Sequence, residues 1–395
     1  MINYSNSAPV FVRRCEDYNE ENLYLILKES LSALGIDNTV FAGKNVLLKP
    51  NLVMAKQPDA AATTHPNFAR AAARLMHDCG AASVTLADSP GGPFNEAYVS
   101  VVYNTCGMKA AAADGLFELN ADFGFSEVHT DGIKLKTMNV LNAVLHADVI
   151  IDLCRLKTHS LTGMSCAVKN LFGVIPGVEK FQMHSNFPEV GNFSEMLVDL
   201  AQYVTSEKTF LAVCDAVVSM EGNGPSHGIP KKTGLVLVSQ SPFSLDVIGE
   251  RIMFGAKSDD TAAVRHLDAA SSRNIMPRRW QDIDVVGDTD YDVFDFLPPD
   301  TGAGHFLKNL PNFLGGKFVD VFSARPVINE KKCVGCGRCR DSCPKKTIRI
   351  GRRGEKGRKI AVILRENCIK CYCCQELCPL GAVDTKQNWL IKLIH

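Results

Sequence analysis

Apolar residues along the chain gather into short β-rich runs separated by longer stretches of helical character. Residues 45–48, 83–87, 149–153, 210–213 and 235–239 read as strands. Residues 66–79, 194–204 and 245–254 read as helices. Strands alternating with helices predict an α/β fold, a mostly parallel sheet with helices on both faces. No run reaches the roughly 18 apolar residues of a membrane span. No basic-then-apolar leader opens the sequence either, so the expected location is cytoplasmic.

Polar residues follow four of these strands. Lys49, Pro50 and Asn51 follow the first, and Asp88, Ser89, Pro90, Gly91 and Gly92 the second. Arg155 to His159 follow the third, and Asp215 with the stretch Glu221 to Gly224 the fourth. Ligands of open α/β sheets bind outside the carboxyl ends of the strands. Four such ends predict one polar crevice, with Lys49, Asn51, His65, Asp88, Ser89, Gly91 and Gly92 as ligand-binding candidates. The segment from Leu156 to Lys180 is punctuated by glycines and carries Lys157, Lys169 and Lys180. Ammonium groups beside glycine-turn amides suit a small anion such as phosphate or carboxylate. Lys157, His159 and Lys169 are the catalytic candidates, with His159 as proton donor. His65, His159 and His184 are also weighed as a metal trio, against the commoner role of histidine as a structural donor. Neither G-x-G-x-x-G nor a P-loop motif is present.

The last part of the chain has a different character. Nine of the 15 cysteines lie between Cys333 and Cys378. Cys333, Cys336, Cys339 and Cys343 form one C-x2-C-x2-C-x3-C-P run, and Cys368, Cys371, Cys374 and Cys378 another. In this pattern three cysteines wrap one 4Fe–4S cluster and the fourth serves the other cluster. One cluster is therefore expected on Cys333, Cys336, Cys339 and Cys378, and the second on Cys368, Cys371, Cys374 and Cys343. Zinc is the competing reading of paired C-x2-C units, and two complete runs closed by Cys-Pro weigh against it. Cys373 reads as a bystander. Between the runs, residues 347–350 and 360–364 predict a hairpin with a basic tip carrying Arg352, Arg353, Lys356 and Arg358. This region resembles the bacterial two-cluster ferredoxins.

The chain carries 43 basic and 43 acidic residues, unevenly placed. From Pro326 onward 16 basic residues face 6 acidic ones, leaving 27 against 37 in the body. Basic residues near cluster-bound thiolates offset their charge, so nucleic acid is not the expected partner. Of the six cysteines in the body, Cys154 and Cys214 read as small buried hydrophobes, and Cys166 lies in a polar motif.

The set KPN (Lys49 to Asn51), THP (Thr64 to Pro66), DSPGG (Asp88 to Gly92), LKTH (Leu156 to His159), AVKNLFG (Ala167 to Gly173) and EGNGP (Glu221 to Pro225) resembles the domain-of-unknown-function family 362. That resemblance implies an iron–sulfur protein with a fused ferredoxin module. It departs at Ser241, where the family pattern expects Asp, while Asp246 remains. The expected domains are an α/β domain over 1–320 and a ferredoxin-like domain over 321–395. Two functions follow. One is a redox protein, an oxidoreductase if it turns over substrate, in which two 4Fe–4S clusters relay electrons to or from a small anionic ligand. The other is a carrier or assembly factor docking a larger redox partner protein. Flavin or another organic cofactor is compatible with the sequence, though no motif demands one.

Overall fold

The structure is a computed structural model, and it describes residues 7–255, 264–301, 324–354 and 357–386. The expected domain boundary at 320/321 and Lys356 lie outside the described residues. The strands are β1 (Val10–Arg14), β2 (Asn45–Pro50), β3 (Ser83–Leu86), β4 (Glu118–Leu119), β5 (Phe125–His129), β6 (Thr137–Leu141), β7 (Val149–His159), β8 (Gly163–Ser165), β9 (Thr209–Glu221), β10 (Ile229–Ser239) and β11 (Val285–Gly287). Their main sheet runs β11-β1-β10-β9-β7-β2-β3-β4, with β8 folded back onto β7. The block β9-β7-β2-β3-β4 is parallel throughout. β10 pairs antiparallel with both β9 and β1, so the sheet is mixed but mostly parallel.

Strand side chains point alternately to the two faces, and each face is covered by helices. Val46, Leu48, Ile151, Leu153 and Val213 face one core, with α1 (Glu20–Ala33), α2 (Pro66–Asp78) and α3 (Glu96–Thr105). Leu47, Ile150, Phe210 and Ala212 face the other. There lie the short α6 (Ala167–Asn170), α7 (Gly177–Asn186), α8 (Val190–Glu207), α9 (Pro242–Phe254) and α10 (Arg265–Ser272); the intervening α4 (Met108–Ala111) and α5 (Asn142–His146) are single turns. Among the described residues no helix is long and apolar enough to cross a membrane.

Two features differ from the expectation. β1 and α1 carry no strong sequence signal, yet β1 sits between β10 and β11. β7 and β9 also run on through residues that looked like loop. Arg155, Lys157 and His159 lie inside β7, and Asp215 inside β9. A charged residue continues a buried strand when its charge is answered. Arg155, 1% exposed, donates to Asp215 Oδ2 at 2.7 Å, to the Thr63 carbonyl at 2.7 Å and to the Tyr18 hydroxyl at 2.9 Å. Asp215 also accepts from Tyr18 Oη at 2.8 Å and the His65 amide at 3.1 Å.

The cysteine-rich region adds β12 (Arg325–Ile328), α11 (Arg338–Asp341), β13 (Ile348–Arg353), β14 (Lys359–Ile363), α12 (Cys373–Glu376) and β15 (Val383–Lys386). β12 pairs with β15, and β13 with β14 as the expected hairpin. Arg352 and Arg353 fall within β13 rather than at its tip, and Arg358 donates to the Lys331 carbonyl of the same module.

Removing Asp215 tests the buried pair. Asp215→Ala strands the Arg155 guanidinium in the core and is expected to cost about 3–5 kcal/mol, read as a lowered urea midpoint at unchanged slope.

Candidate functional site: a cationic cavity beside two thiol-lined pockets

Side chains from the strand ends meet in a half-open cavity. Asn51, Asp88, Ser89, Gly91, Lys157, His159 and Lys169 all line it, as the sequence predicted for a crevice, together with Asn170, Lys180 and His184. Three predicted residues do not line it. Lys49 is turned to Asp88 at 2.9 Å and to its neighbour's carbonyl at 3.0 Å. His65 caps α2, its Nδ1 accepting from Asn67 N at 3.2 Å, and stacks on Tyr18 with ring centroids 3.7 Å apart. Gly92 lies under the Tyr98 ring, where a Cβ would come within 2.5 Å of it. The fourth strand end also withholds its carboxylates, because Asp215 is bound to Arg155 and Glu221 to Lys231 at 2.7 Å.

A hydrogen-bonded chain fixes the floor of the cavity. The Asn170 amide donates to Asp152 at 2.8 Å and accepts from Asn51 Nδ2 at 2.8 Å. Asn51 Oδ1 accepts from Lys157 Nζ at 2.9 Å, and that ammonium also reaches the Ala62 carbonyl at 2.7 Å. The turn that presents Lys169 is held from behind, where Asp246 accepts from the Ala167 and Val168 amides at 2.7 and 3.3 Å. Asp246 also pairs with His266 at 2.9 Å, which gives the remaining carboxylate of that motif a structural role. Ser241 stands where the family pattern has Asp, and caps α9 by accepting from Ser244 N at 3.2 Å.

Burial sets the charges. It pulls the Lys157 and Lys180 ammonium groups down to about 7, and Lys169 down as well. Lys180 donates to the Ser89 carbonyl. Lys169 lies 4.4 Å above the Phe172 ring. Burial holds His184 neutral, at about 3, and His159 well below its usual range. His159 Nδ1 accepts from the Leu161 and Thr162 amides at 3.1 and 3.3 Å, so Nε2 carries the proton and faces the cavity. His159 is thus an N–H donor, and the imidazolium that a proton-donor role would need is disfavoured. The histidine trio is not a metal site, since His65 lies apart from the other two.

The last wall comes from the cysteine-rich module, which sequence reasoning did not place here. Cys373, Glu376 and Leu377 line the same cavity. Glu376 Oε1 sits 3.4 Å from His159 Nε2 and is buried without a hydrogen-bond partner. Burial pushes its carboxyl up, while Lys169 and Lys157 pull it back. Leu377 packs so closely on Gly91 that a Cβ there would overlap it. Glu376 was hidden because x3 between two ligand cysteines constrains spacing and not identity.

Within the module, Cys333, Cys336, Cys339 and Cys378 line one pocket. Cys343, Cys368, Cys371 and Cys374 line another, with Cys373 beside them. These are the two sets that the spacing predicts. Gly337 and Tyr372 hold equivalent left-handed positions after the second cysteine of each run. Amides of Ala361, Thr347 and Ala382 point at the sulfurs of Cys333, Cys343 and Cys378, at 3.5, 3.4 and 3.2 Å. Neither set brings three sulfurs within 4.8 Å of one another. A tetrahedral zinc ion with bonds of about 2.3 Å needs a closer grouping. The three thiols that do meet within 4.8 Å are Cys154, Cys166 and Cys214 in the body core. They touch at 3.6 and 3.8 Å; burial pushes Cys154 and Cys166 up, whereas at Cys214 burial is outweighed by the hydrogen bonds with Cys154 and Cys166, which pull it down.

Residues 46–251 match the model of the family described as Domain of unknown function (DUF362), just over half of the chain. The chain belongs to the DUF362 family. Residues 332–382 match a 4Fe-4S dicluster domain, so the module is a ferredoxin-like iron–sulfur domain with an electron-transfer role. The chain is 32% identical over 241 residues to a thylakoid-associated protein of Synechocystis sp., covering 60% of this chain and 72% of that one. It is 39% identical over 60 residues to an uncharacterized ferredoxin of Methanocaldococcus jannaschii, covering 15% of this chain and 75% of that one. Among solved structures, a Thermotoga maritima protein aligns over 58% of this chain at 13% identity and a TM-score of 0.36. The lactate racemase apoprotein of Thermoanaerobacterium thermosaccharolyticum aligns over 62% at 14% identity and a TM-score of 0.37. The DUF362 chain spans 57% of the length of each of these two.

The two pockets are expected to lose clusters independently. Cys343→Ser is expected to lower the reconstituted protein from about eight irons to about four by emptying the pocket next to the cavity, and Cys378→Ser to empty the other. Iron and acid-labile sulfide analysis, with the electron paramagnetic resonance signal that survives in each variant, checks both.

Proposed function

We propose that this DUF362 protein is a redox protein in which the α/β domain binds a small anion beside the iron–sulfur module. The observation that carries the reading is the position of Cys373. This residue lines the ligand cavity and also the pocket of Cys343, Cys368, Cys371 and Cys374. A ligand in the cavity therefore lies against the polypeptide that would hold the nearer cluster. Cys333, Cys336, Cys339 and Cys378 would hold the other. Bound clusters supply one-electron transfer.

The chain's own residues bind and orient the anion. Lys169, Lys157 and Lys180 supply positive charge, and His159 Nε2 supplies a fixed donor. Ser89 Oγ is buried without a partner on the same wall, a hydroxyl left for a ligand. Leu377 packed on Gly91 excludes water from the side facing the module. The electron donor or acceptor at the outer face is a second protein. The carrier reading needs no ligand at all, and the built cavity against the module favours the enzyme-like one.

Calorimetry with benzoate and with sulfate tests the anion site. Lys169→Met is expected to weaken binding by about 2 kcal/mol or more, having removed one partner of a desolvated charge pair. Binding needs protonated lysines, and those of Lys157 and Lys180 discharge near 7. Affinity is accordingly expected to be highest below that value and to fall by about an order of magnitude between about pH 6 and pH 8. Flat binding across this range, or none by either anion, rules the site out. Dithionite-reduced protein should be reoxidised by the true substrate among small organic anions, and failure across such a panel returns the carrier reading.

A further inference from the structure

Three cysteines meet in the core of the α/β body, apart from the anion cavity and from the module's thiols. Cys154 belongs to β7 and Cys214 to β9, and the two are register partners across the parallel ladder. Cys166 comes from the turn that opens α6. The three sulfurs lie within 4.8 Å of one another, with Cys166 3.6 Å from Cys214 and 3.8 Å from Cys154. All three residues are fully buried.

Core cysteines ordinarily pack singly, as small hydrophobes. These three form a triangle instead, drawn from two strands and a helix start. Three sulfurs held in one plane about 2.3 Å from a central ion stand about 4 Å apart, close to the spacing seen here. Among the described residues no imidazole or carboxylate atom joins the triangle within 4.8 Å. The neighbouring carboxylates have other roles. Asp215 is bound to Arg155, Asp246 to His266 and the α6 amides, and Asp152 accepts from Asn170 and is pushed toward its neutral form by burial. Structural zinc takes four ligands, so it is poorly served by three. Thiolates without oxygen or nitrogen partners select soft ions such as copper(I).

The charge balance agrees. Burial keeps Cys154 and Cys166 protonated, while at Cys214 the hydrogen bonds from both outweigh burial and favour the thiolate. One thiolate in a dry core offsets one positive charge. A divalent ion would need a second thiol to lose its proton against that burial.

We infer that Cys154, Cys166 and Cys214 form a three-coordinate site for a soft monovalent metal ion of the copper(I) type. Ser165, the residue before Cys166, lines the anion cavity, so the triangle lies one residue behind a wall that solvent reaches. A bound ion would tie β7, β9 and the start of α6 together.

The test uses the cluster-reconstituted full chain, incubated anaerobically with copper(I) presented by the chelator bathocuproine disulfonate and then desalted. Elemental analysis is expected to find about one copper per chain with iron held at about eight, and copper X-ray absorption to show three sulfur neighbours. In chelator competition, Cys166→Ala and Cys214→Ala are each expected to bind copper more than about a hundredfold more weakly, beyond the cost of losing an outer-shell partner. Unchanged iron content and urea midpoint verify that each variant folds. The inference is overturned if wild-type protein takes up no copper, if it gains copper only as iron is lost, or if both variants bind as tightly as wild type. Nitrogen or oxygen neighbours in the wild-type spectrum overturn it however the variants fold.

Discussion

A buried charge has to be answered, and that constraint organises this structure from the sheet outward. Where the answer lies within the α/β domain, the result is architecture. Arg155 meets Asp215 and lets β7 and β9 continue through polar sequence. Lys49 meets Asp88 and ties the end of β2 to the loop after β3. Asp246 collects the first amides of α6 and fixes the turn that carries Lys169. Lys157, Lys169 and Lys180 are not matched in this way by the α/β domain's carboxylates, and they line a cavity at the strand ends.

The iron–sulfur module completes that cavity. Two-cluster domains are self-contained, with their cysteines crossing between halves, and this one also lends outward-facing residues of α12 to a neighbour. The same short helix puts Cys374 on a thiol-lined pocket and Glu376 into the cationic cavity. The cationic cavity and the thiol-lined pocket are therefore built on one turn of backbone.

Much of this was legible from residue order, and the misses have common causes. Strand positions were readable in the parallel block because its residues are buried on both faces and form unbroken apolar runs. Strand ends were not, because Lys157 and His159 look like loop until their partners are known. β1 was missed since its short stretch ends in two arginines, whose pairing with Asp288 and Asp290 brings residues from far along the chain. Seven of the residues expected at the strand ends line one cavity, but His65 and Lys49 looked the same in sequence as the lysines that do line it. Only their partners, Tyr18 and Asp88, separate them.

The sequence by itself determined the cysteine chemistry, because ligand spacing within a run is local, set by a few backbone turns. It also determined the alternation of strand and helix, which follows from side-chain periodicity. Tertiary structure alone decided which ammonium groups face open space, which histidine nitrogen keeps its proton, and that a glutamate between two cysteines of the module lines the same cavity. Those outcomes depend on burial and on partners distant in sequence, and burial is a property of the assembled fold.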